Sequence, residues 1–182
     1  MPGPLAYVFW HRPAAGVKAP AYEARLTAFH AALAAHPPPG FMTSAAFRLS
    51  AAPWLAGSGP AYEDWYEVDG WGALGRLNEA AVSGARSAPH DAVAGEAGAG
   101  AGGVYRRVAG APGLGASRAA WLVKPAAVEC EVFDAALAGT GAAVWMRQMV
   151  LGPAPEYVVR SAAPVDLPWP ATVGELAAVT PT

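Results

Sequence analysis

Apolar and polar positions change period several times along the chain, and each change marks an element. Leu5 to His11 (LAYVFWH) is a short aromatic and β-branched run closed by Arg12-Pro13 and Gly16, which predicts a strand running into a loop. From Ala21 the period lengthens. Tyr22, Leu26, Phe29 and Leu33 recur at intervals of four, three and four, one face of a helix. His36 followed by Pro37-Pro38-Pro39-Gly40 stops that helix, because proline cannot continue the hydrogen-bond ladder. Phe41 to Ser50 alternates Phe41, Thr43, Ala45, Phe47 and Leu49 against Met42, Ser44, Ala46, Arg48 and Ser50, a strand with two different faces. After a Gly-, Ser- and Pro-rich loop, Tyr62 to Asp69 (YEDWYEVD) predicts a third strand, paired with the second as a long-looped hairpin. Gly70 breaks it, and Trp71, Leu74, Leu77, Asn78 and Ala81 trace a second helix to about Val82. Pro89 to Ala97 predicts a short helix, Glu96 to Gly103 (EAGAGAGG) a flexible connection, and Val104 to Ala109 a fourth strand. The order is β-α-β-β-α-(α)-β, the ferredoxin-like arrangement.

Gly110 to Ser117 reads as a boundary, after which the opening recurs. Arg118 to Lys124 is a strand closed by Pro125, as Leu5 to Arg12 was closed by Pro13. The helix predicted over Ala126 to Leu137 carries VFDAAL, which lines up with AFHAAL at Ala28 to Leu33. A strand over Ala142 to Leu151, a Gly-Pro-Ala-Pro turn and a returning strand, Glu156 to Ser161, complete a second β-α-β-β run. Thr172 to Val179 reads as a final short helix, with Thr172 as N-cap and Glu175 three residues on. The expected fold class is α+β: tandem ferredoxin-like β-α-β-β units, with antiparallel sheets and helices on one face. Residues 1–112 form the first unit, and 113–182 a second, truncated one packed against it.

Composition narrows the function. Of 182 residues, 54% are hydrophobic and 14% charged, enough apolar surface for one ordinary domain or two small associated ones. Much of that share is alanine, so seven tryptophans, six tyrosines and five phenylalanines supply most of the packing. Twelve basic and fourteen acidic residues are interspersed for a net charge of −2, which offers no basic stripe to nucleic acid. The single cysteine, Cys130, rules out an intramolecular disulfide framework. Met1-Pro2-Gly3-Pro4 lacks the basic region of a signal peptide, and no run reaches the ~18 apolar residues of a membrane helix. The expected setting is the cytoplasm, with no membrane partner.

The segments YVFWHRP (Tyr7 to Pro13), AFHAALAAHP (Ala28 to Pro37) and DWYEVDGW (Asp64 to Trp71) resemble the dimeric α/β-barrel superfamily of ferredoxin-like proteins. The resemblance covers Leu5 to about Ala109 well and Arg118 to Ser161 less well, and its motifs are structural rather than catalytic. That superfamily includes small monooxygenases that need no cofactor, haem-binding relatives of chlorite dismutase, and lactone isomerases. The resemblance implies two four-stranded sheets facing each other, with ligands entering the space between them. Both sheets come from one chain or from a homodimer. Shared architecture does not transfer activity.

Candidate chemistry follows from that geometry. On the third strand Glu63, Trp65, Glu67 and Asp69 project to one side, and Tyr62, Asp64, Tyr66 and Val68 to the other. With the Tyr66 face on the helices, Trp65 and Glu67 look between the sheets, where a carboxylate beside an indole acts as a general base; the alternative is an ion-paired edge-strand face. His11 ends the first strand on the side of Tyr7 and Phe9. It is the second catalytic candidate, for acid–base work or haem ligation, against a histidine simply bonded to backbone. Arg48 and Arg147 lie in predicted strands, where an arginine clamps a substrate anion or pairs with a cross-strand carboxylate. Trp10, Trp65 and Trp145 supply an aromatic lining. No two histidines have metal-ligand spacing, so neither a metal nor another cofactor is expected. The glycines of Gly95 to Gly103 precede a strand, the wrong context for a dinucleotide loop. Three functions remain open: a small-molecule-binding protein with its ligand between the sheets, a cofactor-independent monooxygenase or isomerase for an aromatic or enolisable substrate, and a non-catalytic dimerisation module.

Overall fold

Most aromatic, alternating runs become strands and the 3.6-periodic runs become helices, but two segments depart from their local signal, and those two close the structure. The computed structural model describes residues 3–111, 114–149 and 152–181. The junction between residues 112 and 113 and the end of the strand predicted to Leu151 lie outside the described residues. The elements run β1 (Leu5–Pro13), α1 (Ala19–Ala35), β2 (Phe41–Leu49), β3 (Ala61–Val68), α2 (Trp71–Ala81), α3 (Ser87–Ala94), β4 (Ala97–Ala109), β5 (Arg118–Leu122), α4 (Cys130–Gly139), β6 (Ala143–Gln148), β7 (Tyr157–Ser161) and β8 (Thr172–Ala178). A single 3-10 turn, Gly84–Arg86, joins α2 to α3.

The strands form one closed barrel in the order β1-β3-β2-β8-β5-β7-β6-β4, with every neighbouring pair antiparallel. The first four strands lie in the order β4-β1-β3-β2, and the last four in the matching order β8-β5-β7-β6. The two sets meet along β2–β8 and β4–β6.

β8 is the first departure. The sequence predicts a helix over Thr172 to Val179, but Thr172–Ala178 is a strand, so the last four strands are complete. Local helix chemistry loses here to hydrogen bonding, because β2 and β5 would otherwise present unpaired edges. β8 pairs with both, through Leu49↔Leu176 and Phe47↔Ala178 on one side and Arg118↔Glu175 and Trp121↔Thr172 on the other. Gly174 makes room for the indole, since a Cβ there would lie 2.8 Å from Cζ3 of Trp121. Between β7 and β8, residues 162–171 form no helix; Trp169 from this connection packs on Phe133 at 4.4 Å between ring centroids.

β4 is the second departure. The glycine-rich stretch expected to be flexible is its first half, paired with β1 from Ala97 onward.

Three apolar clusters result. Helices α1, α2 and α3 cover the outer face of the first four strands through Tyr22, Leu26, Phe29, Leu33, Leu77 and Val93. Helix α4 covers the outer face of the last four through Phe133 and Leu137. The barrel interior holds Trp10, Phe47, Trp65, Tyr105, Trp121, Trp145 and Val158. β3 therefore has helices on one face and the interior on the other, and it is buried at all eight positions. It is a central strand, not an edge.

Among the described residues one ion pair crosses the interior. Arg160 on β7 pairs through Nη1 with Oε1 of Glu63 on β3, and Nε1 of Trp10 donates to Oε2 of the same carboxylate at 2.7 Å. The guanidinium sits between the rings of Phe47 and Trp65, 4.6 and 4.5 Å from their centroids. Removing one member of a buried pair strands the other charge, whereas removing both is far milder. Arg160→Met is therefore expected to lower the unfolding free energy by about 3–5 kcal/mol, with most of that loss recovered in Glu63→Gln/Arg160→Met. Urea denaturation measures both, and an unchanged midpoint for the single variant would show that the pair does not hold the barrel.

Candidate functional site

The barrel's two faces separate the residues singled out from the sequence. Trp10, Trp65, Trp145 and Glu67 come together inside, all essentially inaccessible to solvent. The indoles pack edge to face on one another and on neighbouring rings, with Trp65–Trp145 at 5.1 Å and Trp10–Tyr105 at 5.7 Å between centroids. The space between the sheets, expected to admit a ligand, is thus occupied by core side chains. Glu67 accepts a 3.2 Å hydrogen bond from Nε1 of Trp65. Burial pushes its carboxyl above the ordinary value, against the pull of that hydrogen bond and of Arg107 and Arg160. Arg147 reaches backbone carbonyls at Gly152 and Ala154. Arg48 is exposed and pairs outward with Glu23 of α1. His11 lies on the opposite face of the sheet from Glu67, so the two catalytic candidates are not brought together.

His11 instead lines a cavity of about 770 Å³ between the helices and the outer face of β1, β3 and β4. Aromatic side chains dominate it: Tyr7 and Phe9 from β1, Tyr22 and Phe29 from α1, Tyr66 from β3 and Trp71 from α2. Trp71 and the neighbouring Val82 are exposed, so that side of the cavity reaches solvent. Among the described residues Asp64 is the one carboxylate in the lining, and no lysine or arginine accompanies it.

Asp64 is 5% exposed and sits between two buried imidazoles. Nε2 of His11 lies 3.3 Å from Oδ2, and Nε2 of His30 lies 3.6 Å from Oδ1. Neither contact is aligned as a full hydrogen bond, which leaves both nitrogens and Oδ1 without a formal partner. The far nitrogens are engaged: Nδ1 of His11 meets the Tyr22 hydroxyl at 2.7 Å, and Nδ1 of His30 meets the Ser44 hydroxyl at 2.7 Å. Tyr66 donates its hydroxyl to Oδ2 at 3.1 Å and stacks on His30 at 5.1 Å. A row therefore runs Ser44–His30–Asp64–His11–Tyr22, with its last member on the cavity wall.

The electrostatics follow from this row. Burial alone would raise the Asp64 carboxyl, but the facing imidazoles of His11 and His30 overcome it and hold Asp64 well below the usual carboxylate range. An ionised carboxylate only accepts, so a proton on Nε2 of His11 points toward Asp64, while Nδ1 faces the Tyr22 hydroxyl. Burial, then the charge of Asp64, pushes the hydroxyls of Tyr7, Tyr22 and Tyr66 upward, so all three remain neutral donors. Both nitrogens of His11 face protein groups, so it does not fit the haem ligation considered from the sequence.

Sequence reasoning missed Asp64, Tyr22, His30 and Tyr66 as site residues. Tyr22 was legible only as part of a helical stripe, and Asp64 only as a polar residue on the face of β3 turned to the helices. Their meeting depends on how α1 crosses the sheet.

No protein-family model and no curated protein sequence matches the chain. Among solved structures it is similar to a proposed monooxygenase from Fusobacterium nucleatum, with a TM-score of 0.66 and 8% identity over 98% of this chain and 93% of that one. It is also similar to a proposed monooxygenase from Lactobacillus acidophilus, with a TM-score of 0.59 and 11% identity over 98% and 95% of the two chains. At these identities the likeness is one of fold, and it extends over nearly the whole of each chain.

Two pH effects of opposite sign are expected. The folded-state pKa of Asp64 lies below its unfolded value near 3.9, so its contribution is present above about pH 4 and is lost as the pH falls toward the folded value. Asp64→Asn should be less stable than the parent at pH 7, with the gap closing below about pH 4. Glu67 has a raised folded pKa, so its ionisation opposes folding once the pH exceeds its unfolded value of about 4.3. Glu67→Gln should be the more stable protein at pH 7 and lose that advantage in acid. Urea midpoints across pH 3 to 8 check both, and parallel pH profiles for variant and parent would refute the assignment.

Proposed function

We propose that this protein binds a small, neutral, largely aromatic molecule in the cavity beneath α1–α3 and takes a proton from it. The observation that carries the reading is one ionised carboxylate, Asp64, held between two imidazoles on the wall of a largely apolar cavity. The absence of lysine and arginine from the described lining disfavours an anionic ligand, and the ring faces of Phe9, Tyr7 and Trp71 suit a flat one.

The chemistry is a relay. A ligand O–H or acidic C–H gives its proton to the Tyr22 hydroxyl oxygen as the Tyr22 proton moves to Nδ1 of His11. The resulting imidazolium faces the Asp64 carboxylate, which stabilises it. Because burial and Asp64 disfavour a tyrosinate, the two transfers occur together and Tyr22 does not pass through a free anion. The ligand keeps the electron pair as an enolate or phenolate. That deprotonation is the opening step of both a cofactor-independent monooxygenase and an isomerase, and the two structural relatives described as proposed monooxygenases support the first. Residues 1–112 and 113–182 are read as two copies of one ferredoxin-like unit, the second without its second helix; only the first carries the cavity.

The test uses two neutral probes. N-phenyl-naphthylamine should bind saturably with a fluorescence increase, and β-tetralone should exchange its acidic C–H hydrogens for deuterium in D2O, followed by NMR. Tyr22→Phe and His11→Gln should slow the exchange by about 10²-fold or more while leaving naphthylamine binding within a few-fold. Binding without exchange would remove the proton transfer, and no binding at all would remove the cavity reading.

A further inference from the structure

We propose that Gly100 and Gly102 set the depth of the cavity, and hence the size of molecule it accepts, by letting the rings of Phe9 and Tyr7 lie down on β4. The inference rests on the cavity reading above. It concerns the glycine-rich first half of β4, whose pairing with β1 does not by itself require glycine.

Glycine weakens a strand, through its backbone freedom and its lack of a side chain to pack. A 13-residue strand that opens Ala-Gly-Ala-Gly-Ala-Gly-Gly therefore needs a reason. At Gly100 the reason is close approach. A Cβ there would stand 2.6 Å from Cζ and 2.7 Å from Cε2 of Phe9, separations that no real Cβ tolerates. At Gly102 a Cβ would stand 3.0 Å from the Tyr7 hydroxyl and 3.3 Å from Cε2 of the same ring. Each ring leans diagonally over the neighbouring strand onto the glycine beside it, since Phe9 pairs in register with Gly102 and Tyr7 with Val104.

Each ring is backed by a second aromatic neighbour. Phe9 stacks on His11 at 4.9 Å with 17° between planes, and Tyr7 stacks on Tyr66 at 6.1 Å. Phe9 and Tyr7 both line the cavity, so a methyl group at Gly100 or Gly102 drives the ring above it into the ligand space. The closer approach makes Gly100 the stronger determinant. The flanking glycines act differently: a Cβ at Gly98 would meet the backbone of Pro13 and Ala14, and one at Gly103 would meet Tyr105. The wall these rings adjoin carries His11 and Asp64, so the depth they set lies beside the polar end of the cavity.

Fluorescence titration and calorimetry with two neutral probes, N-phenyl-naphthylamine and the smaller indole, test this. The proteins are the parent, Gly100→Ala, Gly102→Ala, Phe9→Leu, the Gly100→Ala/Phe9→Leu double variant, and Gly115→Ala, where an added Cβ meets nothing within 4 Å. Gly100→Ala should weaken the larger probe by about tenfold or more, and indole far less, because a pocket reads single methyl groups at that scale. Gly102→Ala should fall between it and the parent, Gly115→Ala should match the parent, and Phe9→Leu should restore the larger probe in the Gly100→Ala background. If Gly100→Ala fails to fold, Gly102→Ala decides alone: selective loss of the larger probe supports the same conclusion, and unchanged binding or equal loss of both probes overturns it. Equal loss of both probes in Gly100→Ala, or no rescue by Phe9→Leu, overturns the proposal while the cavity stands. A parent protein that binds neither probe overturns the cavity reading, and this inference with it.

Discussion

Strand β3 is buried on both faces and carries three carboxylates, and most of what is particular to this protein follows from that constraint. A charge withdrawn from water on a central strand has to find a partner within reach, because the desolvation penalty of an unpaired ion is several kcal/mol or more. Glu63 finds Arg160 and Trp10 inside the barrel. Asp64, one residue on, finds His11, His30 and Tyr66 on the other face. Glu67, inside again, accepts a hydrogen bond from the indole N–H of Trp65, and burial raises its pKa. Three neighbouring acids thus have three different fates, decided by what stands opposite each.

The same alternation separates structure from chemistry. The inward residues of β3 bind the two sets of strands together, since Arg160 comes from β7 while Glu63 comes from β3. The outward residues face a cavity roofed by helices. A substitution on one face can therefore change stability without touching the site, or change the site without opening the barrel. Tryptophan contributes to this division as well. Trp10, Trp65, Trp121 and Trp145 pack together in the interior, while the cavity that holds Asp64 and His11 lies on the outer face of the sheet.

Closure of the barrel depends on segments whose local chemistry points elsewhere. Thr172–Ala178 carries a helical N-cap pattern, yet two open strand edges on either side hold it extended. Ala97 to Gly103 has the composition of a mobile linker, yet it pairs with β1 along its length. In both cases backbone hydrogen bonds to distant partners outweigh intrinsic preferences worth only tenths of a kcal/mol to about 1 kcal/mol per residue.

By itself the sequence determined the period of most elements, β8 and the first half of β4 excepted. The first strand, the stripe of Tyr22, Leu26, Phe29 and Leu33, the Tyr62 to Asp69 alternation and the second helix were all legible, because side-chain spacing is a local property of backbone geometry. It also determined that His11 shares a face with Tyr7 and Phe9. Only the tertiary structure decided that β3 is central, that Asp64 rather than Glu67 faces a cavity, and that the indoles fill the interior. It alone showed what the glycines of β4 accommodate. Each of these depends on which residues meet across strands and between helix and sheet, and no pattern along a single chain records contacts between residues as far apart as Glu63 and Arg160.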